Sequence, residues 1–284
     1  MSYTLLVSPA QLQSLMASGS PLMVFDVSFD LTRPEAGDQQ YLQAHIPGAV
    51  RADLDRHLST SGARRASGGR HPLPSREAFA QWLAEIGFSN DMQAVVYDRQ
   101  GANYCGRLWW MLKWAGHEQV AVLDGGLQAW LAAGGAVTSG DAPPSSPGRF
   151  ALGTARAALA DTQTVLAGLG ASQTLIDARA TPRYKGEVEP LDPVAGHIPG
   201  ALNRPFGQNL DADGKFKPAA QLRSEFEALL QGREPGHVVH HCGSGVSAVP
   251  NLIAMEIAGL GRAPLYAGSW SEWCTDPARP VAKG

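Results

Sequence analysis

The chain repeats itself once, and that repeat limits its architecture more than any other feature. His45-Ile46-Pro47-Gly48-Ala49 recurs 152 residues later as His197-Ile198-Pro199-Gly200-Ala201. Upstream, Val24-Phe25-Asp26-Val27 matches Leu175-Ile176-Asp177-Ala178 at an offset of 151. Downstream, Val95-Val96-Tyr97-Asp98 matches Val238-Val239-His240-His241 at an offset of 143. The same offset carries Ala115-Gly116 onto Ala258-Gly259, and Gly125 with Trp130 onto Gly268 with Trp273. Matches kept in one order along both halves imply one structural plan used twice.

Within each half, short apolar runs alternate with helical patterns. Ser8-Pro9 predicts a helix start, with a capping hydroxyl and a proline in the first turn. Strands are expected over 23–27, 93–97 and 120–123, and helices over 108–114 and 127–132. Such alternation implies an α/β protein, each half a parallel sheet with helices on both faces. The stretch 134–149, rich in Pro, Gly and Ser, marks the connection. The expected division is therefore 1–137, a linker over 138–153, and 154–284. A length of 284 residues suits two domains.

Charge and composition exclude several classes of function. A net charge of −3 gives no reason to expect nucleic acid or an anionic membrane as partner. The basic run 64–71 lacks aromatic residues and helical period, and reads as a solvated loop. No apolar stretch approaches the roughly 20 residues of a membrane span, and the N-terminus shows no secretory pattern. Cys105, Cys242 and Cys274 cannot all pair internally, and their spacing fits no disulfide framework or zinc site. The expected setting is reducing and cytoplasmic.

Chemistry concentrates in the segment Val238-Val239-His240-His241-Cys242-Gly243-Ser244-Gly245-Val246-Ser247-Ala248. A short apolar run reads as a buried strand, a turn of small residues follows, and a helical pattern covers 248–258. A cysteine between a strand and a helix start sits where backbone N–H groups favour an anion, so a thiolate nucleophile is one reading. A small buried apolar side chain is the other. Glycines flanking Ser244 suit tight curvature and close approach of a ligand, which favours the nucleophile. Adjacent strand residues point to opposite faces, which argues against a metal held by His240-His241-Cys242. No metal or other cofactor is expected.

The falling offset has its own meaning. The first half carries nine more residues after its HIPGA than the second, and the surplus lies around 59–74, with His71 near its end. Spacing alone leaves two readings open, a tolerated surface insertion or a loop that reaches the second half's cysteine. Under the 143 offset Cys242 falls on Arg99, so only the second half carries the thiol. Cys105 and Cys274 read as structural.

The two repeats, the paired HIPGA segments, Gly-Gly-Leu-x-x-Trp, Gly-Ser-Trp-x-x-Trp and Cys-Gly-Ser-Gly-Val-Ser-Ala together resemble the tandem-domain rhodanese superfamily over nearly the whole chain. Within it, the cysteine loop is similar to that of 3-mercaptopyruvate sulfurtransferases. Thiosulfate sulfurtransferases of this architecture place two basic residues where this chain has Gly243 and Ser244. The resemblance implies that Cys242 takes sulfur from a small donor as a persulfide and passes it to a thiol, a reduced dithiol protein or cyanide. It implies further that Ser244 works with His71 and Asp55 of the first half, and that Arg183 binds the charged end of the donor. Gly243, Gly245, Val246 and Ser247 would line the donor, Ser247 standing where the family pattern has threonine. Arg179 is expected to serve the structure.

One departure bears on the donor. The family's second substrate arginine lies in a Glu-Pro-Arg element, but this chain reads Glu189-Pro190-Leu191-Asp192, which leaves Arg204 as the candidate substitute. Two alternatives to a mercaptopyruvate enzyme follow, a thiosulfate:cyanide sulfurtransferase and a persulfide carrier or binding module. A Cys-x5-Arg phosphatase is excluded, because Ala248 stands where the arginine would be.

Overall fold

The serine and proline that mark a helix start do so through a reciprocal cap. Ser8 Oγ accepts the Gln11 N–H, while Gln11 Oε1 accepts the Ser8 N–H, which satisfies two backbone donors that the first turn leaves open. The computed structural model describes residues 2–141 and 146–284, so residues 142–145 of the expected linker lie outside the described residues. Two compact units divide the chain. The first comprises Met1–Arg64, Pro74–Arg156 and Leu210–Phe216; the second comprises Arg65–Leu73, Ala157–Asn209 and Lys217–Gly284. The surplus loop is thereby resolved, because its 65–73 portion, with His71, belongs to the unit that carries Cys242.

In the first unit the elements run β1 (Leu6–Val7), α1 (Pro9–Ala17), β2 (Leu22–Asp26), α2 (Ala36–Gln43), β3 (Val50–Arg51), α3 (Arg76–Glu85), β4 (Gln93–Tyr97), α4 (Cys105–Trp114), β5 (Val120–Leu123) and α5 (Gly126–Ala132). All strand pairs are parallel, in the order β1-β5-β4-β2-β3. Every residue of β4 is buried, as a strand covered on both faces requires.

The second unit repeats the plan with β6 (Leu159–Ala160), α6 (Thr162–Ala167), β7 (Thr174–Asp177), α7 (Thr181–Lys185), β8 (Leu202–Asn203), α8 (Ala219–Leu230), β9 (Val238–His241), α9 (Val249–Ile257), β10 (Leu265–Tyr266) and α10 (Ser269–Trp273). Its sheet, again parallel, has the order β6-β10-β9-β7-β8. Helix α8 buries Leu222, Phe226 and Leu230, one face at four-residue spacing. The central strand β9 is wholly buried and ends directly at Cys242.

The repeated HIPGA segments have the same structural task in both units. His45 stacks on Tyr41 with ring centroids 3.9 Å apart, and His197 stacks on Tyr184 at the same distance. Tyr41 Oη donates to the Ala49 carbonyl at 2.7 Å, and Tyr184 Oη to that of Ala201 at 2.6 Å. The histidines also pair by backbone with Thr138 and Ala282. These imidazoles are held in place by ring stacking and by a hydrogen bond from each to a tyrosine carbonyl.

Candidate active site

Cys242 is only 2% exposed, and α10 fixes the turn that holds it. The Cys242 N–H donates to Ser269 Oγ at 3.1 Å, its carbonyl accepts the Trp270 N–H at 3.0 Å, and the Gly243 carbonyl accepts the Ser271 N–H at 2.8 Å. Ser269 adopts φ +55°, a left-handed backbone that costs a non-glycine residue about 1–3 kcal/mol and tends to occur at functional sites. That conformation lets its hydroxyl receive the cysteine N–H while donating to the Tyr266 carbonyl. Gly245 has φ +73°, and a Cβ there would collide with the Ala267 backbone. Six residues separate Cys242 from α9, so the helix dipole, which fades within the first turn, adds little at the sulfur.

His71 and Ser244, expected to cooperate, meet in the second unit. His71 Nδ1 and Ser244 Oγ share a hydrogen bond of 2.8 Å, and both side chains are buried. With Nδ1 unprotonated, the imidazole accepts the hydroxyl proton and can pass it on. The loop bearing His71 is anchored on α10, where Ser271 Oγ accepts the Arg70 N–H at 2.9 Å. Asp55 lies in the first unit, exposed, with its N–H donating to Asp53 Oδ1 at 3.0 Å. Partial burial and the nearby Asp53 carboxylate push the Asp55 carboxyl above its ordinary range.

Two guanidinium groups converge on Gly243. A Cβ placed there would lie 3.2 Å from Arg70 Nη2 and 3.5 Å from Arg183 Nη1, so glycine is what leaves both cations room beside the cysteine. Arg183 was expected here; Arg70 was not. Acidic side chains hold the pair. Asp192 Oδ1 accepts Arg70 Nη1 at 2.6 Å, and its Oδ2 accepts Arg183 Nη2 at 3.1 Å. Glu189 Oε1 accepts Arg183 Nη2 at 2.6 Å. Arg70, rather than Arg204, is the second guanidinium beside Gly243. Arg204 turns instead to Glu225 Oε2 at 2.8 Å and Asn209 Oδ1 at 2.9 Å, and lies over the Phe226 ring. Its guanidinium supports α8, and Leu191 is a solvent-exposed side chain. The signal for Arg70 was its place immediately before His71; that for Asp192 was its place immediately after Leu191.

Behind the turn, β7 supplies a second ion-pair group. Asp177 and Arg179 form a buried bidentate pair, with Arg179 Nη2 2.7 Å from Asp177 Oδ2 and its Nε 3.0 Å from the same oxygen. Arg179 also reaches Glu189 and lies over Trp270, the structural role expected for it. Burial pushes the Asp177 carboxyl up, but His241 and the Arg179 guanidinium, with the hydrogen bonds that Arg179 donates, hold it below the usual range. His240 and His241 are fully buried, and burial drives both toward the neutral form, His240 down to about 3. The Cys105 thiol, buried against Asp98, is pushed well up, which suits a structural cysteine. Burial likewise raises the Cys274 thiol. Among the described residues no cluster of His, Cys, Asp and Glu could hold a metal ion, and no helix is long and apolar enough to cross a membrane.

The rhodanese-like domain family matches the chain twice, over residues 8–133 and 161–276. A Pseudomonas aeruginosa protein named "Probable 3-mercaptopyruvate sulfurtransferase" is 47% identical over 286 residues, spanning 100% of both chains. The thiosulfate sulfurtransferase of Bos taurus is 35% identical over 262 residues, covering 90% of this chain and 86% of its own. Among solved structures, the 3-mercaptopyruvate sulfurtransferase of Leishmania major superposes with a TM-score of 0.79 at 29% identity, over 95% of this chain and 74% of that one. The Tum1 protein of Saccharomyces cerevisiae gives 0.84 at 25% identity, over 98% and 97%.

Proposed function

Because the chain belongs to the family of rhodanese-like domain proteins, in tandem form, and its curated relatives are sulfurtransferases, we propose that it moves sulfur from 3-mercaptopyruvate through a persulfide on Cys242. The Cys242 thiolate attacks the donor's thiol sulfur. An S–S bond forms as the donor's C–S bond breaks, and the leaving carbon keeps the electron pair as the enolate of pyruvate. A proton delivered through Ser244 and His71 converts that enolate to pyruvate. An acceptor thiolate, or cyanide, then attacks the outer sulfur, and the Cys242 thiolate leaves. Asp55 is the carboxylate assigned to orient His71. The turn residues Gly243, Gly245, Val246 and Ser247 line the sulfur end, while Arg70 and Arg183 receive the donor's carboxylate, a group that a guanidinium can hold with two parallel hydrogen bonds.

The single observation that carries this reading is the His71–Ser244 hydrogen bond beside Cys242. A leaving carbanion needs a proton, and this pair can deliver one. Release of sulfite from thiosulfate has no such requirement. The convergence of Arg70 and Arg183 on Gly243 favours the second reading, a thiosulfate donor, since two cations suit a dianion. Both donors reach the same persulfide, so the test is kinetic. kcat/KM for 3-mercaptopyruvate is expected to exceed that for thiosulfate, and Ser244→Ala is expected to lower only the former, by ten- to a hundredfold. Equal losses with both donors, or a preference for thiosulfate, would displace mercaptopyruvate. Absence of a cyanide-labile persulfide with either donor would leave a carrier or binding module. The expected partners are a small sulfur donor and a thiol or reduced dithiol protein.

A further inference from the structure

The two cations beside Gly243 are not free charges. Asp192, its side chain 3% exposed, bridges them with one oxygen to each. Around it, Arg70, Arg179 and Arg183 stand against Asp177, Glu189 and Asp192, three positive groups against three negative. The cluster is therefore formally neutral before a donor arrives. A site with two guanidiniums and no carboxylate would favour a dianion steeply, because each added negative charge gains from both cations. With Asp192 between them, every charge on the incoming anion also meets the carboxylate, and a dianion meets it twice.

We infer that Asp192 sets the charge preference of the donor site, biasing Arg70 and Arg183 toward monoanionic carboxylates and away from dianions. The inference rests on the assignment of Arg70 and Arg183 to anion binding made above. Asp192 acts through the two arginines: it holds their heads beside Gly243 and removes one unit of their combined charge. It explains how a turn flanked by two cations can belong to an enzyme for a 2-oxo acid. It also explains why losing an arginine at Leu191 need not weaken the site, since Arg70 supplies a second cation and Asp192 tempers it.

The test uses pyruvate, a monoanion, and sulfate, a dianion, as competitive inhibitors of the full-length protein with whichever donor it turns over. In Asp192→Asn the ratio Ki(pyruvate)/Ki(sulfate) is expected to rise about tenfold, the effect of one unit charge about 6 Å away at an effective dielectric near 40. Asp192→Glu, which keeps the charge, should leave the ratio within twofold of wild type. Asp192→Ser provides the same charge change with a smaller side chain, should the asparagine variant fold poorly. A purely structural role would weaken both inhibitors alike and leave the ratio unchanged, and that result overturns the inference. A chain that turned over only thiosulfate would sink the donor assignment, yet the two Ki values would still report on Asp192.

Discussion

The two strand–turn–helix segments that follow β4 and β9 share a topology and differ in what fills the turn. After β4, Asp98 accepts backbone N–H groups from Gln100, Ala102, Tyr104 and Cys105, at 2.8–3.1 Å. Arg99, at the position of the cysteine, is drawn onto Asp26 at 2.9 Å and onto Ser28 and the carbonyls of Gln40 and Ala44. This turn folds its amides onto its own carboxylate and lends its cation to Asp26 at the end of β2. After β9, His241 stands where Asp98 does and Cys242 where Arg99 does. Neither ring nitrogen of His241 has a hydrogen-bond partner among the described residues. The strand-end acid Asp177 is served by Arg179, so Cys242, at the position of Arg99, is released from that duty. One backbone plan thus holds a buried carboxylate and a tethered arginine in one turn, and a cysteine among small residues in the other.

The sharpest break of this comparison comes from exchanging the two thiols. Cys242→Ser is expected to lower kcat/KM by more than about a thousandfold, roughly 4 kcal/mol in the barrier, while Cys105→Ser stays within twofold of wild type. Steady-state assays of both variants check this, and substantial turnover by Cys242→Ser would remove the asymmetry on which the comparison rests. Next in size, Asp98→Ala strips four N–H groups of their acceptor. It should destabilise the fold by about 3 kcal/mol or more, read from the midpoint of urea unfolding. A loss below 1 kcal/mol would mean that water serves that turn equally well.

Acid should separate the two units further. His240 is held neutral with its pKa near 3, against about 6.5 in the unfolded chain. The unfolded state therefore binds the extra proton over that window, and stability present above pH 6.5 is lost as pH falls toward 3. Between pH 7 and 5 the loss is about 2 kcal/mol, since each unit is worth about 1.4 kcal/mol. The matching residue in the first unit is Tyr97, whose hydroxyl is ordinarily neutral throughout this range and is raised further by burial. Thermal unfolding of wild type and His240→Leu at the two pH values should show the variant with the flatter profile. The smallest expected effect is a symmetric one. Tyr41→Phe and Tyr184→Phe each remove one hydrogen bond to a HIPGA carbonyl and should cost about 1 kcal/mol apiece. Unequal losses would show that the repeated histidine packing has diverged.

Much of the fold could be read from the sequence because its signals are local. β4 and β5 fall on the expected residues, and the cap of α1 is written in four consecutive side chains. Helix α4 starts at Cys105, three residues before the expected Leu108. Its first turn is capped by Asp98, seven residues upstream, through a bond that no periodicity displays. The site divides in the same way. Cys242, Ser244 and His71 carry a motif or a resemblance, whereas the pairing of Arg70 with Asp192 spans 122 residues of chain. Arg204 follows the second HIPGA closely in sequence, but the acid that claims it, Glu225, lies on α8.

The loop of Arg65–Leu73 has a consequence for how such a protein can be divided. It is encoded among first-half residues and yet folds as part of the second unit, while Leu210–Phe216 makes the opposite exchange, its Phe216 N–H donating to Asp124. A fragment cut at the midpoint would inherit the thiol without the imidazole or the Arg70 cation. The two sheets repeat one plan, yet Arg70 and His71 come to the unit of Cys242 from first-half residues. Excision, shuffling or grafting of the unit that holds Cys242 has to carry the segment Arg65–Leu73 with it.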